Sequence, residues 1–312
     1  MNQPSNTVPD PATFEQLIAL GAAQFEAANL WFGHGSDNAY DEAAELVFFA
    51  AGLRHEQAAQ VYPRLATPAQ CRAILALFER RIRERVPAAY LTRRMWFAGH
   101  EFYVDERVLV PRSPIAELVE ARFEPWVEAD AIRRMLDIGT GSGCIAIASA
   151  LALPDAHVDA ADISAGALEV ARLNIDRHGV AARVRPRLSD VYAGLDGARY
   201  DLIVANPPYV GAEEMASLPE EYRHEPALGL RSGEDGLDVV RRILREARAH
   251  LEPHGALIVE VGNSEDALQS AYPRVPFTWL EFERGGGGVF VLTAEQLAEH
   301  EADLRAEVRS AD

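Results

Sequence analysis

The chain has 312 residues, 48% of them apolar and 25% charged. This excludes intrinsic disorder over most of its length, because that much apolar side chain can repay the entropy of ordering. Thirty basic residues against 48 acidic ones leave a net charge of −18, a field that repels bare phosphate backbones and argues against stable nucleic-acid binding. Cys71 and Cys144 are the only cysteines and form no CxxC pair, which excludes a disulfide scaffold and a thiolate zinc site, leaves no metal expected, and reads as cytoplasmic.

In chain order, Met1-Asn2-Gln3-Pro4-Ser5 lacks the basic-then-apolar pattern of a signal peptide. Over 14–86 the apolar residues recur at helical spacing, as at Ile74, Leu75, Phe78 and Ile82 in a segment opened by Thr67 as N-cap with Pro68 behind it. Residues 1–94 are therefore expected to form a small helical domain. The run of Arg80, Arg81, Arg83 and Arg85 reads as a solvated cationic helix face. Over 95–112 the period shortens toward two, with Trp96, Phe97, Phe102, Tyr103, Val104, Val108 and Val110, predicting a β-hairpin linker that turns near Val104-Asp105-Glu106 and ends at Pro111. Ser113 as N-cap with Pro114 behind it predicts a helix through Phe123.

From Ile132 onward, strand patterns at 134–138, 157–163, 183–188, 200–205, 256–261 and 289–292 alternate with helical ones, the clearest at 164–178, closed by Gly179, and 237–251. Such alternation implies a mostly parallel sheet covered on both faces, so 113–294 is predicted as a doubly wound α/β domain and 295–312 as a polar helical tail. The longest apolar run, 144–153, is about half of the roughly 20 residues a bilayer span needs, so no membrane segment is expected.

Chemistry concentrates at two strand ends. Asp137-Ile138-Gly139-Thr140-Gly141-Ser142-Gly143 stands where a hydrophobic strand turns into a helix. Glycines there let the backbone approach a ligand closely, and the free N–H groups of the next helix face it. Asp162 ends the following strand, about 20 residues past the last glycine, the spacing at which an acidic side chain meets ribose hydroxyls. The GxGxG pattern differs from the GxGxxG pyrophosphate fingerprint, and at this point the sequence resembles a class I methyltransferase, whose nucleotide ligand carries no pyrophosphate. The resemblance implies S-adenosyl-L-methionine as cofactor, held by Asp137, Gly139, Thr140, Gly141, Ser142, Gly143, Asp162 and Asp190. Asp190 stands where that family contacts adenine; read alone it is equally an ordinary loop carboxylate.

The second segment, Asn206-Pro207-Pro208-Tyr209, directly follows a strand. Its prolines hold Asn206 and Pro207 extended and remove two backbone donors, leaving carbonyls at the carboxyl edge of the sheet, where open α/β sheets bind ligands. The Asn206 side chain and the Pro207 carbonyl can clasp a planar NH₂ group with Tyr209 over its face, which points to an amide or an amino-purine. The tetrapeptide resembles that of methyltransferases acting on planar NH₂ nitrogens, shared by adenine-N6 DNA enzymes and protein-glutamine N5 enzymes; the net charge of −18 separates this chain from the former.

From Arg85 to Thr293 the chain is similar to the glutamine enzymes, carrying Val108-Leu109-Val110-Pro111-Arg112, Glu225-Pro226 and Gly233-Glu234-Asp235-Gly236-Leu237. Two substrates are known in that group: class I release factors and the third protein of the large ribosomal subunit. Release-factor enzymes show Pro-Arg-Pro and then an acid, where this chain has Pro111-Arg112-Ser113-Pro114-Ile115, and the segments 99–107, 221–226 and 276–282 resemble the ribosomal-protein branch. The resemblance implies N5-methylation of a glutamine with Asn206, Pro207, Pro208 and Tyr209 as catalytic motif and Asn206 also at the cofactor. It further implies a basic ribosomal protein as partner; because a small cofactor pocket alone cannot select one glutamine in one protein, the helical domain is the natural candidate for recognising it. Val191 replaces an aromatic residue frequent in the release-factor branch, so no stacking contact is carried over there. His250 and His254 have the spacing of a metal pair, but Pro253 breaks the helix between them, and they read as loop residues. Arg223 and His224 stay open between substrate contact and a structural network.

Overall fold

Each long N-terminal helix starts on a side chain that satisfies its free amides. Thr13 and Thr67 form capping boxes with Gln16 and Gln70, Asn38 accepts from the Asp41 N–H, and Pro68 sits in the first turn, where no donor is needed. The helices so opened, Phe14–Ala27, Ala39–Ala51 and Pro68–Glu84, close over Phe14, Leu17, Phe25, Phe48, Ile74 and Phe78. The computed structural model describes residues 11–54, 57–195 and 197–306. Met1 to Ser5 and the tail beyond 306 lie outside the described residues. The chain divides into two compact units, Met1–Met95 with Pro219–His224, and Trp96–Leu218 with Glu225–Asp312.

In the first unit, Arg81 overturns the expected solvated face. It is 0% exposed, because it continues the Ile74 and Phe78 stripe by one helical step. Its Nε donates to Glu42 at 2.5 Å, Nη1 to Glu221 at 3.4 Å and Nη2 to the Trp31 carbonyl at 2.9 Å. Arg80 and Arg83 do face solvent, while Arg85 turns back to Glu221 at 3.1 Å. His224 bonds the Glu84 carbonyl at 2.9 Å and Arg223 is exposed, pairing with Glu220 at 4.0 Å.

The hairpin of β1 (Met95–Phe97) and β2 (His100–Phe102) turns at Ala98-Gly99, with φ of 46° and 76°, rather than at 104–106. Two central residues at positive φ match the strand twist. Asp105 instead makes its own turn, accepting the Arg107 N–H at 3.1 Å. The following helix is shorter than expected, Ile115–Glu120, with Pro114 rather than Ser113 as its N-cap; Ser113 Oγ accepts the Ile115 N–H at 3.1 Å while its hydroxyl donates to Glu260.

The remaining strands, β3 (Arg134–Ile138), β4 (His157–Asp162), β5 (Val184–Leu188), β6 (Tyr200–Ala205), β7 (Leu251–Glu260), β8 (Thr278–Trp279) and β9 (Val289–Thr293), form one sheet ordered β5-β4-β3-β6-β7-β9-β8. β5, β4, β3, β6 and β7 pair in parallel, and β9 is antiparallel to β7 and β8. This is the doubly wound arrangement the alternation predicts. Ile147, Met135 and Val158 share the core on one face, and Leu136, Ile203 and Ile243 that on the other. His250 and His254 are not loop residues. His250 ends the helix Asp238–His250 with its ring stacked on Tyr192 at 4.4 Å, and His254 lies within β7, 3.2 Å from Asp201. Pro253 does stop the helix, but it falls where the pairing of β7 with β6 shifts register, so no ladder bond is lost. The strand order reverses at β3 and β6, whose last residues, Ile138 and Ala205, are level with each other, opening a crevice at their carboxyl ends.

Candidate active site

The turn after β3 is held by two carboxylates. Asp137 is fully buried beneath it, with Oδ2 taking the Thr140 hydroxyl at 2.6 Å and the Ala146 N–H at 3.2 Å, while Oδ1 has no partner among the described residues. Burial pushes this carboxyl up to about 7. Asp162, at the end of β4, takes the Gly141 N–H at 2.9 Å and the Ser164 N–H at 2.8 Å, and burial pushes its carboxyl up as well. Gly143 has φ 82° and starts the helix Cys144–Ala152; a Cβ there would stand 3.4 Å from Ala171 Cα. Ser142 is buried and its carbonyl accepts from Asn174 at 2.8 Å. Asp190 pairs with Arg242 at 2.9 Å.

Sequence reasoning missed the apolar part of this edge. Ile163 is 52% exposed and Leu188 63%, and Leu188 is level with Asp162 across the β4 and β5 pair. Exposed aliphatic side chains at strand ends beside an acid could have been found as apolar residues running one position past each strand's buried pattern.

Across the switch point, a Cβ on Gly139 would stand 3.5 Å from the Asn206 carbonyl oxygen and 3.8 Å from Pro207 Cα, so the glycine turn and Asn206-Pro207 are neighbours. The Asn206 carboxamide makes no hydrogen bond to another described residue. Beyond it the loop is tied down by hydrogen bonds. The Tyr209 hydroxyl donates to Glu260 Oε1 at 3.0 Å, and the Ser264 hydroxyl donates to the Tyr209 carbonyl at 2.9 Å. Gly236 lies so close to that carbonyl that a Cβ could not be accommodated, which gives the segment 233–237 a packing reason. Val210 exchanges backbone bonds with Leu230 and Ser232 at 2.8 and 2.9 Å. Glu260 was also missed: it is buried, accepts the Ser113 hydroxyl at 2.5 Å, and burial pushes its carboxyl up to about 7.

These features fit a nucleotide-like cofactor with a charged end: a close backbone cradle, a buried carboxylate oxygen without a partner, an acid at a strand end and exposed apolar side chains beside it. Among the described residues no group of three or more His, Cys, Asp or Glu could hold a metal ion, and no helix is long and apolar enough to cross a membrane.

A family model for the methyltransferase small domain matches residues 124–220. The ribosomal protein uL3 glutamine methyltransferase of Neisseria meningitidis serogroup B is 48% identical over 286 residues, which cover 91% of this chain and 94% of the relative. The protein of the same name in Burkholderia pseudomallei is 46% identical over 300 residues, covering 93% and 98%. Among solved structures, a methyltransferase from Pyrococcus furiosus is 20% identical and aligns over 62% of this chain and 88% of its own with a TM-score of 0.46.

Proposed function

The chain belongs to the ribosomal protein uL3 glutamine methyltransferase family, and from that premise we propose that it methylates the N5 nitrogen of a glutamine in uL3, using S-adenosyl-L-methionine, at the loop Asn206-Pro207-Pro208-Tyr209. The observation that supports this reading is the approach of Gly139 to the Asn206 carbonyl, which makes the glycine turn and Asn206-Pro207 neighbours. Bound there, the cofactor supplies a methyl group already activated by its sulfonium. Asp137, Gly139, Thr140, Gly141, Ser142, Gly143, Asp162 and Asp190 would hold it, with Ile163 and Leu188 offering the apolar face for its base.

An amide nitrogen is a poor nucleophile because its lone pair is delocalised into the carbonyl. Asn206 Oδ1 and the Pro207 carbonyl accept the two amide hydrogens, which holds the nitrogen in place and favours a lone pair directed at the methyl group. Methylation leaves the nitrogen with one proton in excess, which it readily releases to solvent as the amide is restored, so no strong base is required; positioning of this kind contributes on the order of 7–11 kcal/mol to lowering a barrier. Residues 1–94 select the substrate, 95–112 link, 113–294 carry the chemistry and 295–312 form the tail. A basic ribosomal protein complements the net charge of −18, and such a substrate places the work in the cytoplasm.

The test is incubation with methyl-labelled cofactor and, separately, uL3, a class I release factor and duplex DNA. Label is expected in uL3 alone, and Asn206→Ala is expected to lose about 10²–10³ in rate, as when one oriented donor is removed from an oxyanion hole. Label in the release factor or DNA instead, or a wild-type rate in the variant, refutes the assignment.

A further inference from the structure

The buried carboxylate beside the loop has no part in the mechanism above, yet its surroundings are built around it. Glu260 ends β7, whose preceding residue Val259 is level with Ala205 of β6, and its two oxygens take two hydroxyls, Tyr209 on Oε1 at 3.0 Å and Ser113 on Oε2 at 2.5 Å. The neighbouring Arg112 binds both oxygens of buried Glu225 at 2.6 and 2.7 Å, and the Val110 N–H reaches Glu225 at 3.0 Å. Tyr209 is thereby held at three points: its hydroxyl by Glu260, its carbonyl by Ser264 at 2.9 Å, and its ring over Gly262, where a Cβ would stand 2.6 Å from Cε2.

A buried acid is unfavourable unless its oxygens are fully used, and packing alone would be met by phenylalanine at 209 and an apolar residue at 260. The proline ring fixes φ at Pro207 and Pro208, so the Pro207 carbonyl can swing mainly through the torsions between it and Tyr209. Anchoring the Tyr209 hydroxyl removes that freedom.

We propose that Glu260 is a positioning residue for methyl transfer, acting through the Tyr209 hydroxyl to aim the Pro207 carbonyl and through Ser113 to tie the 110–114 segment to the same loop. The proposal rests on the reading of Asn206 and Pro207 as the amide clasp. An amide keeps the shape of the acid and one of its two acceptor oxygens, and this supplies the conservative variant.

The experiment measures kcat and KM for uL3 methylation, with cofactor Kd by calorimetry, on the full chain. Glu260→Leu is expected to lower kcat about tenfold or more, the loss that follows removal of a buried hydrogen-bond partner, with cofactor Kd changed no more than about twofold. Glu260→Gln, which keeps one acceptor and donates to Ser113 Oγ, is expected to recover most of that loss. In a Tyr209→Phe background, Glu260→Leu is expected to lower kcat no more than about twofold further, because the connection is already cut. A wild-type kcat in Glu260→Leu, or losses from the two substitutions that simply multiply, overturns the proposal. Should Glu260→Leu fail to fold, Ser113→Ala and Tyr209→Phe form the cycle instead, and independent effects on kcat overturn it equally. Asn206→Ala at the wild-type rate would refute the clasp itself; an inactive Asn206→Ala beside an unaffected Glu260→Leu refutes the Glu260 role alone.

Discussion

Replacing Asp137 by Asn should change how the stability of the protein depends on pH. Asp137 is buried, one of its oxygens has no partner among the described residues, and its carboxyl is raised from 3.8 to about 7. About three pKa units at roughly 1.4 kcal/mol each put the ionised form about 4 kcal/mol at a disadvantage in the folded chain. Between about pH 4 and pH 7 the folded chain keeps this proton while the unfolded chain has released it, so unfolding releases a proton and stability falls as pH rises. The contribution is full below about pH 4 and is lost as pH rises through about 7. Asp137→Asn removes the titration. Relative to wild type, the variant should therefore gain about 4 kcal/mol in unfolding free energy between about pH 4 and pH 8, measured by urea denaturation at half-unit steps. Glu260, also raised to about 7, is present in both proteins and cancels. Parallel profiles would refute the reasoning. Cofactor binding near neutral pH brings an ammonium group that favours the carboxylate, so wild type should release protons on binding and the variant fewer, as calorimetry in buffers of unlike ionisation heat would show.

Arg81→Met should destabilise the protein by about 3–5 kcal/mol in urea melts, because Glu42 is left buried without its cation, and adding Glu42→Met should restore much of that loss; a double variant as weak as the two losses summed would contradict the ion-pair account. Asp162→Ala should weaken cofactor binding by about tenfold or more in equilibrium titrations, since a charged acceptor that also braces Gly141 and Ser164 is removed. Association with uL3, followed by stopped flow, should slow as salt is added, and a rate indifferent to ionic strength would remove the role given to the acidic surface.

The legible parts of the sequence were those where chemistry and local geometry coincide. Thr67-Pro68 and Ser164 mark helix starts because an oxygen or a missing N–H is needed there, and Asp201 to Ala205 followed by two prolines can end only at a sheet edge. The hairpin turn was misplaced because Val104-Asp105-Glu106 looks like a turn by composition, whereas Ala98-Gly99 depends on backbone twist, and alanine at positive φ leaves little trace in sequence. Arg81 was misread because a cation on a helix is ordinarily solvated; its burial depends on Glu42 and on Glu221, which is remote in the chain. Glu260 and Ser113 are separated by 147 positions, and neither implies the other until β7 and the 110–114 segment meet.

Residues Pro219–His224 fall in the first unit although the chain reaches them only after Tyr209. There Glu221 takes the Trp31 N–H at 3.0 Å and pairs with Arg81 and Arg85. The helical module is thus encoded in two stretches, and a recombination that transplants only the first would deliver Arg81 short of one of its two anions. A graft of the first stretch would therefore have to carry the six residues 219–224 with it to leave both anions on Arg81.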